Sequence, residues 1–182
     1  MTSPVTVRQM RAEEWSAARA VGVDAFDDDP EIGRLLDLQR SSWSWRDELA
    51  FVAEADRELV AMVLYTPAFV DAMDRVVDVL VLSPLGVRRD RQRQGVGAAL
   101  VTESLAAIRQ RPEPLVFLEG VPAYYPRLGF RSASSMGFTP PSVRIPDAAF
   151  MAHPLDAYDP SLRGALVYPD VFWRADAVGL RP

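Results

Sequence analysis

The chain of 182 residues contains no cysteine, no lysine, no asparagine and a single histidine, His153. Without cysteine, disulfide frameworks, thiolate zinc sites and a cysteine nucleophile are excluded together. One imidazole cannot build a multi-histidine metal site, so no metal is expected. Without lysine, every basic side chain is arginine, and the P-loop, which needs lysine after its second glycine, is excluded. No apolar run approaches the roughly 20 residues of a membrane-spanning helix. The N-terminus MTSPVTVRQM is too polar and too short for a signal peptide. Neither membrane nor export is therefore expected, and the default location is cytoplasmic. A formal net charge of −5 argues against nucleic acid as the main partner. With 49% hydrophobic and 25% charged residues, the chain reads as a soluble globular protein. Its length suits one domain over residues 1–182 with a sizeable core.

What is present begins with an alternating segment from Thr2 to Gln9, read as a strand. Arg11 to Ala25 reads as a helix, with Ala12, Trp15, Ala18, Arg19 and Gly22 along one side. Asp27-Asp28-Asp29-Pro30 ends it and supplies an N-cap, with Pro30 at the first position of a second helix over Glu31–Gln39. Ile32, Leu35, Leu36 and Leu38 give that helix its apolar stripe. Strands over Glu48–Ala55 and Glu58–Tyr65 meet at the polar link Asp56-Arg57, a hairpin signal. Val76–Val87 is a long central strand and Ala98–Arg109 a helix. Leu115–Glu119 is a short buried strand, Ala123–Leu128 a helical turn closed by Gly129, and Ala148–Leu155 and Gly164–Tyr168 are two late strands.

The central strand runs into Arg88-Arg89-Asp90-Arg91 and then Gln92-Arg93-Gln94-Gly95-Val96-Gly97 at the head of a helix. The first amides of a helix lack intrahelical acceptors, and the dipole there favours anions. Gly95 and Gly97 let a ligand approach the backbone, and Arg88, Arg89, Arg91 and Arg93 add positive charge. A phosphate or pyrophosphate is the expected guest. The dinucleotide fingerprint fails, because Gly95-x-Gly97-x-x ends on Leu100. A plainer reading, a surface helix whose glycines serve packing, stands beside the binding one.

This turn is similar to the Gln/Arg-x-x-Gly-x-Gly/Ala signature for acyl-CoA in the GNAT (GCN5-related) N-acetyltransferase superfamily. A second motif agrees. Ala123-Tyr124-Tyr125-Pro126-Arg127-Leu128-Gly129-Phe130 matches the family's Tyr-x-x-x-Gly-Phe at Tyr125, Gly129 and Phe130. The variant with two tyrosines, Pro and Arg resembles one bacterial branch of the family. The order β-α-α-β-β-β-α-β-α-β-β extends the resemblance over nearly the whole chain. It implies an α/β (by some schemes α+β) GNAT fold, a mixed central sheet of about seven strands flanked by about four helices and splayed between strands 4 and 5.

The resemblance implies acetyl-CoA as co-substrate. Its pyrophosphate would sit on the Gln92, Arg93, Gln94, Gly95, Val96, Gly97 and Ala98 turn. Its pantetheine arm would pair like an extra strand with backbone around Leu85, Gly86 and Val87. Pro84, which lacks an N–H, suits a strand that parts from its neighbour there. The implied reaction is acetyl transfer to a primary amine by direct attack in a ternary complex, with a backbone N–H near Leu85–Val87 stabilising the oxyanion. Tyr125 would protonate the leaving thiolate, and Tyr125 also contacts the cofactor in the family pattern. Glu119, closing its strand, is the candidate base, acting through water; its plainer role is to cap the Gly120–Ala123 turn. Alternation leaves Asp78 facing either solvent or the cleft, and His153 reads as structural. Many members carry an asparagine ahead of the tyrosine, which this chain lacks, so one hydrogen bond to the pantetheine arm is in question.

The acceptor would be a small-molecule or peptide amine held between roughly Ala20–Trp45 and Leu155–Gly164. Asp24, Asp27, Asp28, Asp29 and Glu31 could form an acidic mouth for a cationic amine, or simply cap helices. Trp43 and Trp45 could line an apolar cleft or sit in the core. A monomer or homodimer fits equally. Two other classes remain open at this point: a non-catalytic acyl-CoA-binding or regulatory module, and a nucleotide-binding protein.

Overall fold

The computed structural model describes residues 4–179. Among these, the chain divides into two compact units. One holds the residues up to Thr66 together with Ser83–Ile108; the other holds Pro67–Leu82 and the residues from Arg109 on. Strands β3 (Glu58–Asp71) and β4 (Val76–Val87) run through both.

In the first unit, β1 (Thr6–Gln9) pairs antiparallel with β2 (Ala50–Ala55), and β2 pairs antiparallel with β3. Residues 1–3 of the expected first strand lie outside the described residues. The hairpin between β2 and β3 turns on Asp56 and Arg57, both at positive φ (54° and 68°), as tight two-residue hairpins require. The first expected helix begins as a 3-10 turn over Ala12–Glu14 and becomes α1 at Trp15–Asp24. Asp29 caps α2 (Pro30–Arg40): its side chain accepts from the Glu31 amide at 2.9 Å, with Pro30 in the first turn. Ala18 and Val21 of α1 and Leu36 of α2 form a core with Met10, Ala50, Val52, Met62 and Leu64. Helix α3 (Val96–Ile108) packs on β1 and β2 and buries Leu100, Val101, Ser104, Leu105 and Ile108.

In the second unit, β4 pairs parallel with β5 (Leu115–Glu119) at Leu80↔Val116 and Val81↔Phe117, and β4 itself runs on to Val87. Strand β5 pairs antiparallel with β8 (Phe150–Pro154) along its whole length. Two-residue strands β6 (Arg131–Ser132) and β7 (Phe138–Thr139), too short to show a period in sequence, pair with β8 and with β9 (Gly164–Val167). Strand β9 also pairs antiparallel with the end of β3. The sheet is thus mixed and mostly antiparallel, with nine strands among the described residues, two of them only two residues long. Phe117 stacks on Phe150 (5.8 Å) and meets Phe138 edge-on (5.1 Å), which anchors this unit's core. A last helix, α4 (Asp170–Arg174), follows Pro169 and buries Val171 and Phe172. Among the described residues no helix is long and apolar enough to cross a membrane.

Candidate functional site

In the first unit, β4 leads into the basic turn. Along its end, Pro84 and Gly86 are buried, while Leu85 and Val87 are half-exposed. Gly86 lies against α1 so closely that a Cβ there would stand 3.0 Å from Gly22 Cα and 3.3 Å from Ala25 Cβ. The Arg88 amide donates to the Val60 carbonyl at 2.9 Å, holding the strand to β3 as it ends. A 3-10 turn over Arg89–Arg91 follows.

The turn closes on side-chain amides. Gln92 Nε2 donates to the carbonyls of Val87 (3.0 Å) and Ala25 (3.3 Å), and Gln94 Nε2 donates to the Asp90 carbonyl (2.8 Å). Gly95 has φ +86°, a left-handed conformation that favours glycine, and a side chain there would meet open space. The first rung of α3 is the Ala99 amide to the Gly95 carbonyl, 3.0 Å. The amides of Val96, Gly97 and Ala98 therefore precede the ladder.

Three of the four arginines are occupied. Arg88 pairs with Glu58 (2.9 Å) and Asp90 (2.6 Å), and Arg91 with Asp56 (3.1 Å). Arg89 meets Asp24 and Asp28, each at 3.0 Å, and Asp27 at 3.5 Å. Its backbone amide also donates to Asp24 Oδ2 at 2.8 Å. Of these four, Arg93, exposed and at φ 59°, has no carboxylate partner among the described residues. Asp24, Asp27 and Asp28 thus surround one guanidinium, and Asp29 caps α2. Trp45 packs on the core edge-on to Trp15 (5.2 Å), with the Arg40 guanidinium 4.6 Å from its ring; Trp43 is exposed.

In the second unit, Tyr125 opens a 3-10 turn over Tyr125–Leu128 that ends at Gly129, φ +88°. The Tyr125 ring lies on Gly120: a Cβ there would be 2.3 Å from Tyr125 Cε2 and 2.6 Å from Cδ2. Tyr124 (5.0 Å) and Phe130 (5.5 Å) meet the ring edge-on. Burial, with Tyr124 alongside, pushes the Tyr125 phenol up to about 12. That is well above the near match with a thiol implied by ordinary values. The Arg127 guanidinium lies 4.5 Å from the Tyr124 ring.

Glu119 ends β5, and burial raises its pKa; the Gly179 amide, the Tyr168 hydroxyl and the Arg144 charge oppose that rise. The Gly179 amide donates to Glu119 Oε2 at 3.0 Å. Arg144 in turn donates through Nε (3.1 Å) and a terminal nitrogen (2.6 Å) to the Val178 carbonyl, so the chain at Val178–Gly179 is fastened beside the carboxylate. Tyr168 is buried, and its phenol is pushed well up by that burial and by Glu119. Sequence reading missed Tyr168, Arg144 and Gly179 as partners, because each lies far from Glu119 in the chain. Asp78 is exposed, beside Arg75 and Glu113. His153 pairs opposite Val116 in the sheet, packs on Phe130 at 5.2 Å, and buries an Nδ1 with no hydrogen-bond partner. Burial and the Arg131 charge lower its pKa against the opposing Gly129 backbone. Among the described residues no group of histidine, aspartate and glutamate is placed to hold a metal ion.

The family model described as an acetyltransferase (GNAT) domain matches residues 6–133. The chain belongs to the GNAT acetyltransferase family. It is 30% identical over 153 residues to the Escherichia coli N-acetyltransferase YjhQ, covering 82% of this chain and 83% of that one. Its fold is similar to that of the E. coli GNAT protein YhbS, solved with CoA (TM-score 0.80, 24% identity, 96% of this chain and 94% of that one). It also resembles a GNAT acetyltransferase of Brucella melitensis solved with acetyl-CoA (TM-score 0.71, 22% identity, 93% and 99%).

Proposed function

We propose that the chain is an acetyl-CoA-dependent N-acetyltransferase acting on a primary amine by direct attack. The observation that carries this is the head of α3. There the Val96, Gly97 and Ala98 amides lie ahead of the first helical rung, in the same turn as Arg93, which has no carboxylate partner among the described residues. These groups suit a pyrophosphate, and the end of β4 at Leu85, Gly86 and Val87, where Leu85 and Val87 are half-exposed, offers backbone to the pantetheine arm. The YhbS and Brucella proteins bind CoA and acetyl-CoA, which supports the same donor here.

In the reaction, the neutral amine attacks the thioester carbonyl carbon. The C–N bond forms, and a β4 backbone amide near Leu85–Val87 stabilises the oxyanion. The C–S bond then breaks, and Tyr125 gives its proton to the departing sulfur; solvent returns a proton to the phenolate. A phenol near 12 holds its proton throughout the working pH range and releases it only as charge develops on sulfur. Glu119, raised by burial, takes the amine's proton through a water.

One observation favours a non-catalytic acyl-CoA-binding module instead: Glu119 is already engaged by Gly179 and Tyr168. Thermal stabilisation by acetyl-CoA, with ATP and NADH in parallel, tests the donor. A hundredfold excess over Kd should add about 2.7 kcal/mol. Thiol release from acetyl-CoA with a panel of amines then tests turnover. An equal shift with ATP would refute the donor. Acetyl-CoA binding without turnover on any amine, and unchanged in Tyr125→Phe, would establish the module.

A further inference from the structure

Helix α2 carries a polar residue in its buried stripe. Gln39 follows Leu35 and Leu36 at helical spacing and is 2% exposed. Its Nε2 donates to Thr66 Oγ1 on β3 (2.9 Å) and to the Ser83 carbonyl on β4 (2.8 Å). Its Oε1 is buried with no protein partner. Gln39 also lines a cavity of about 10 Å³ with Ser44, Trp45, Tyr65 and Thr66, space for at most one water molecule. A buried amide with an unpaired acceptor is less favourable than an apolar side chain of the same size. What the amide contributes is therefore its two donated bonds.

We infer that Gln39 is a positioning residue: by holding the Ser83 carbonyl it sets the course of the Pro84–Val87 segment along which an acyl-CoA arm pairs. This rests on the acetyl-CoA reading above. Pro84 has no N–H to donate, so the backbone needs another hold at this point. Beyond its pairing with β3, the segment is fastened at four places. Gln39 holds Ser83, α1 presses on Gly86, Gln92 bonds the Val87 carbonyl, and the Arg88 amide bonds the Val60 carbonyl. Between these points Leu85 and Val87 are half-exposed. Loosening the first fastening lets the backbone donors and acceptors around Leu85 drift from the register a pantetheine arm needs.

The test is titration calorimetry of Gln39→Leu, with Gln39→Met should the leucine variant fail to fold, and Thr66→Val as control. The ligands are acetyl-CoA and adenosine 3′,5′-bisphosphate, which lacks the pantetheine arm. The expected result is a roughly tenfold rise in Kd for acetyl-CoA with the bisphosphate unchanged. Thr66→Val keeps the Ser83 bond and should retain wild-type affinity for both ligands. Amide exchange at Leu85–Val87 should quicken in Gln39→Leu and not in Thr66→Val. A folded Gln39 variant with wild-type acetyl-CoA affinity would overturn the inference, as would equal losses for both ligands. Wild-type protein that bound no acetyl-CoA would instead overturn the donor reading on which it rests.

Discussion

Gly120→Ala should disable turnover without touching substrate chemistry directly. The added Cβ would lie 2.3 Å from Tyr125 Cε2, 2.6 Å from Cδ2 and 3.0 Å from Leu118 Cδ1. Ordinary carbon contacts are about 3.5–4.0 Å, so the Tyr125 ring must retreat by about 1.2 Å or more. It is hemmed by Tyr124 and Phe130 and cannot simply rotate aside. Overpacking of this kind costs about 1–3 kcal/mol in stability. A displacement of about 1 Å in a catalytic group can cost about 100-fold in rate. Tyr125→Phe keeps the ring and its packing but removes the proton, with an expected loss of about 100- to 10,000-fold. The assay is kcat for thiol release in the two single variants and the double. If Gly120→Ala acts through Tyr125, the double variant should be no slower than Tyr125→Phe, because the displaced hydroxyl is already gone. Multiplicative losses would refute this reasoning and leave Gly120 a site of general packing.

Glu119→Gln retains an oxygen for the Gly179 amide and removes a carboxylate whose pKa is raised in the fold. A raised folded pKa means that the folded state holds the proton more tightly. Its stabilising effect is full below the ordinary value of 4.5 and is lost as pH rises through the folded pKa. The variant should therefore melt higher than wild type near pH 7, with the gap closing as pH falls toward 4.5. If Glu119 is the base, the acid limb of the wild-type rate profile should also disappear. Asp29→Ala should remove the α2 cap and cost about 1 kcal/mol, read as a Tm fall of about 2–4 °C. Arg93→Ala should raise the acetyl-CoA Kd several-fold with no change in Tm, since the side chain is exposed and has no acid partner.

The fold was most legible where local chemistry and tertiary contacts agree. Val76–Val87 and Leu115–Glu119 show long apolar runs bounded by turn residues, and both form strands with those bounds. The Asp29-Pro30 cap reads from two residues alone. The apolar pattern predicts that the second hairpin strand ends at Tyr65, whereas β3 continues to Asp71 straight through Pro67. A proline marks a strand end only when its missing N–H would have been used. Helix α3 starts at Val96, inside the glycine pair, because Gly95 supplies the left-handed turn that lets the next residue be helical. Helix α4 leaves no pattern in the sequence: five residues behind a proline show no helical period, and burial of Val171 and Phe172 makes it. At the site, the glycine turn and Tyr125 were readable as types at a spacing. The partners were not, because Arg89 with Asp24 and Glu119 with Gly179 are set by folding at long range. Gln39 left a signal, a polar side chain where the apolar stripe of α2 calls for another leucine.

The partners of Arg89 change what its charge can do. Counted along the sequence, four arginines make the turn strongly cationic; in the structure, Arg89 stands among Asp24, Asp27 and Asp28. This acid group is tied to the turn, since Gln92 bonds the Ala25 carbonyl. Removing Arg89 would leave three carboxylates uncompensated beside an anion site. Arg89→Ala should therefore weaken acetyl-CoA binding although Arg89 is already engaged by acids of its own. The loss should be strongly salt-dependent, because charges on an exposed surface act over about 10 Å at 0.1 M salt and about 3 Å at 1 M. Restored affinity at 1 M salt would identify repulsion from Asp24, Asp27 and Asp28 as the cause. A loss that persisted at 1 M would mean that Arg89 touches the ligand, and that the acids release it on binding. The same pairing bears on the acceptor. One guanidinium balances only one of the three carboxylates, so Asp24, Asp27 and Asp28 keep net negative charge, and replacing the exposed Asp27 and Asp28 should raise the KM of a cationic amine that docks beside the turn.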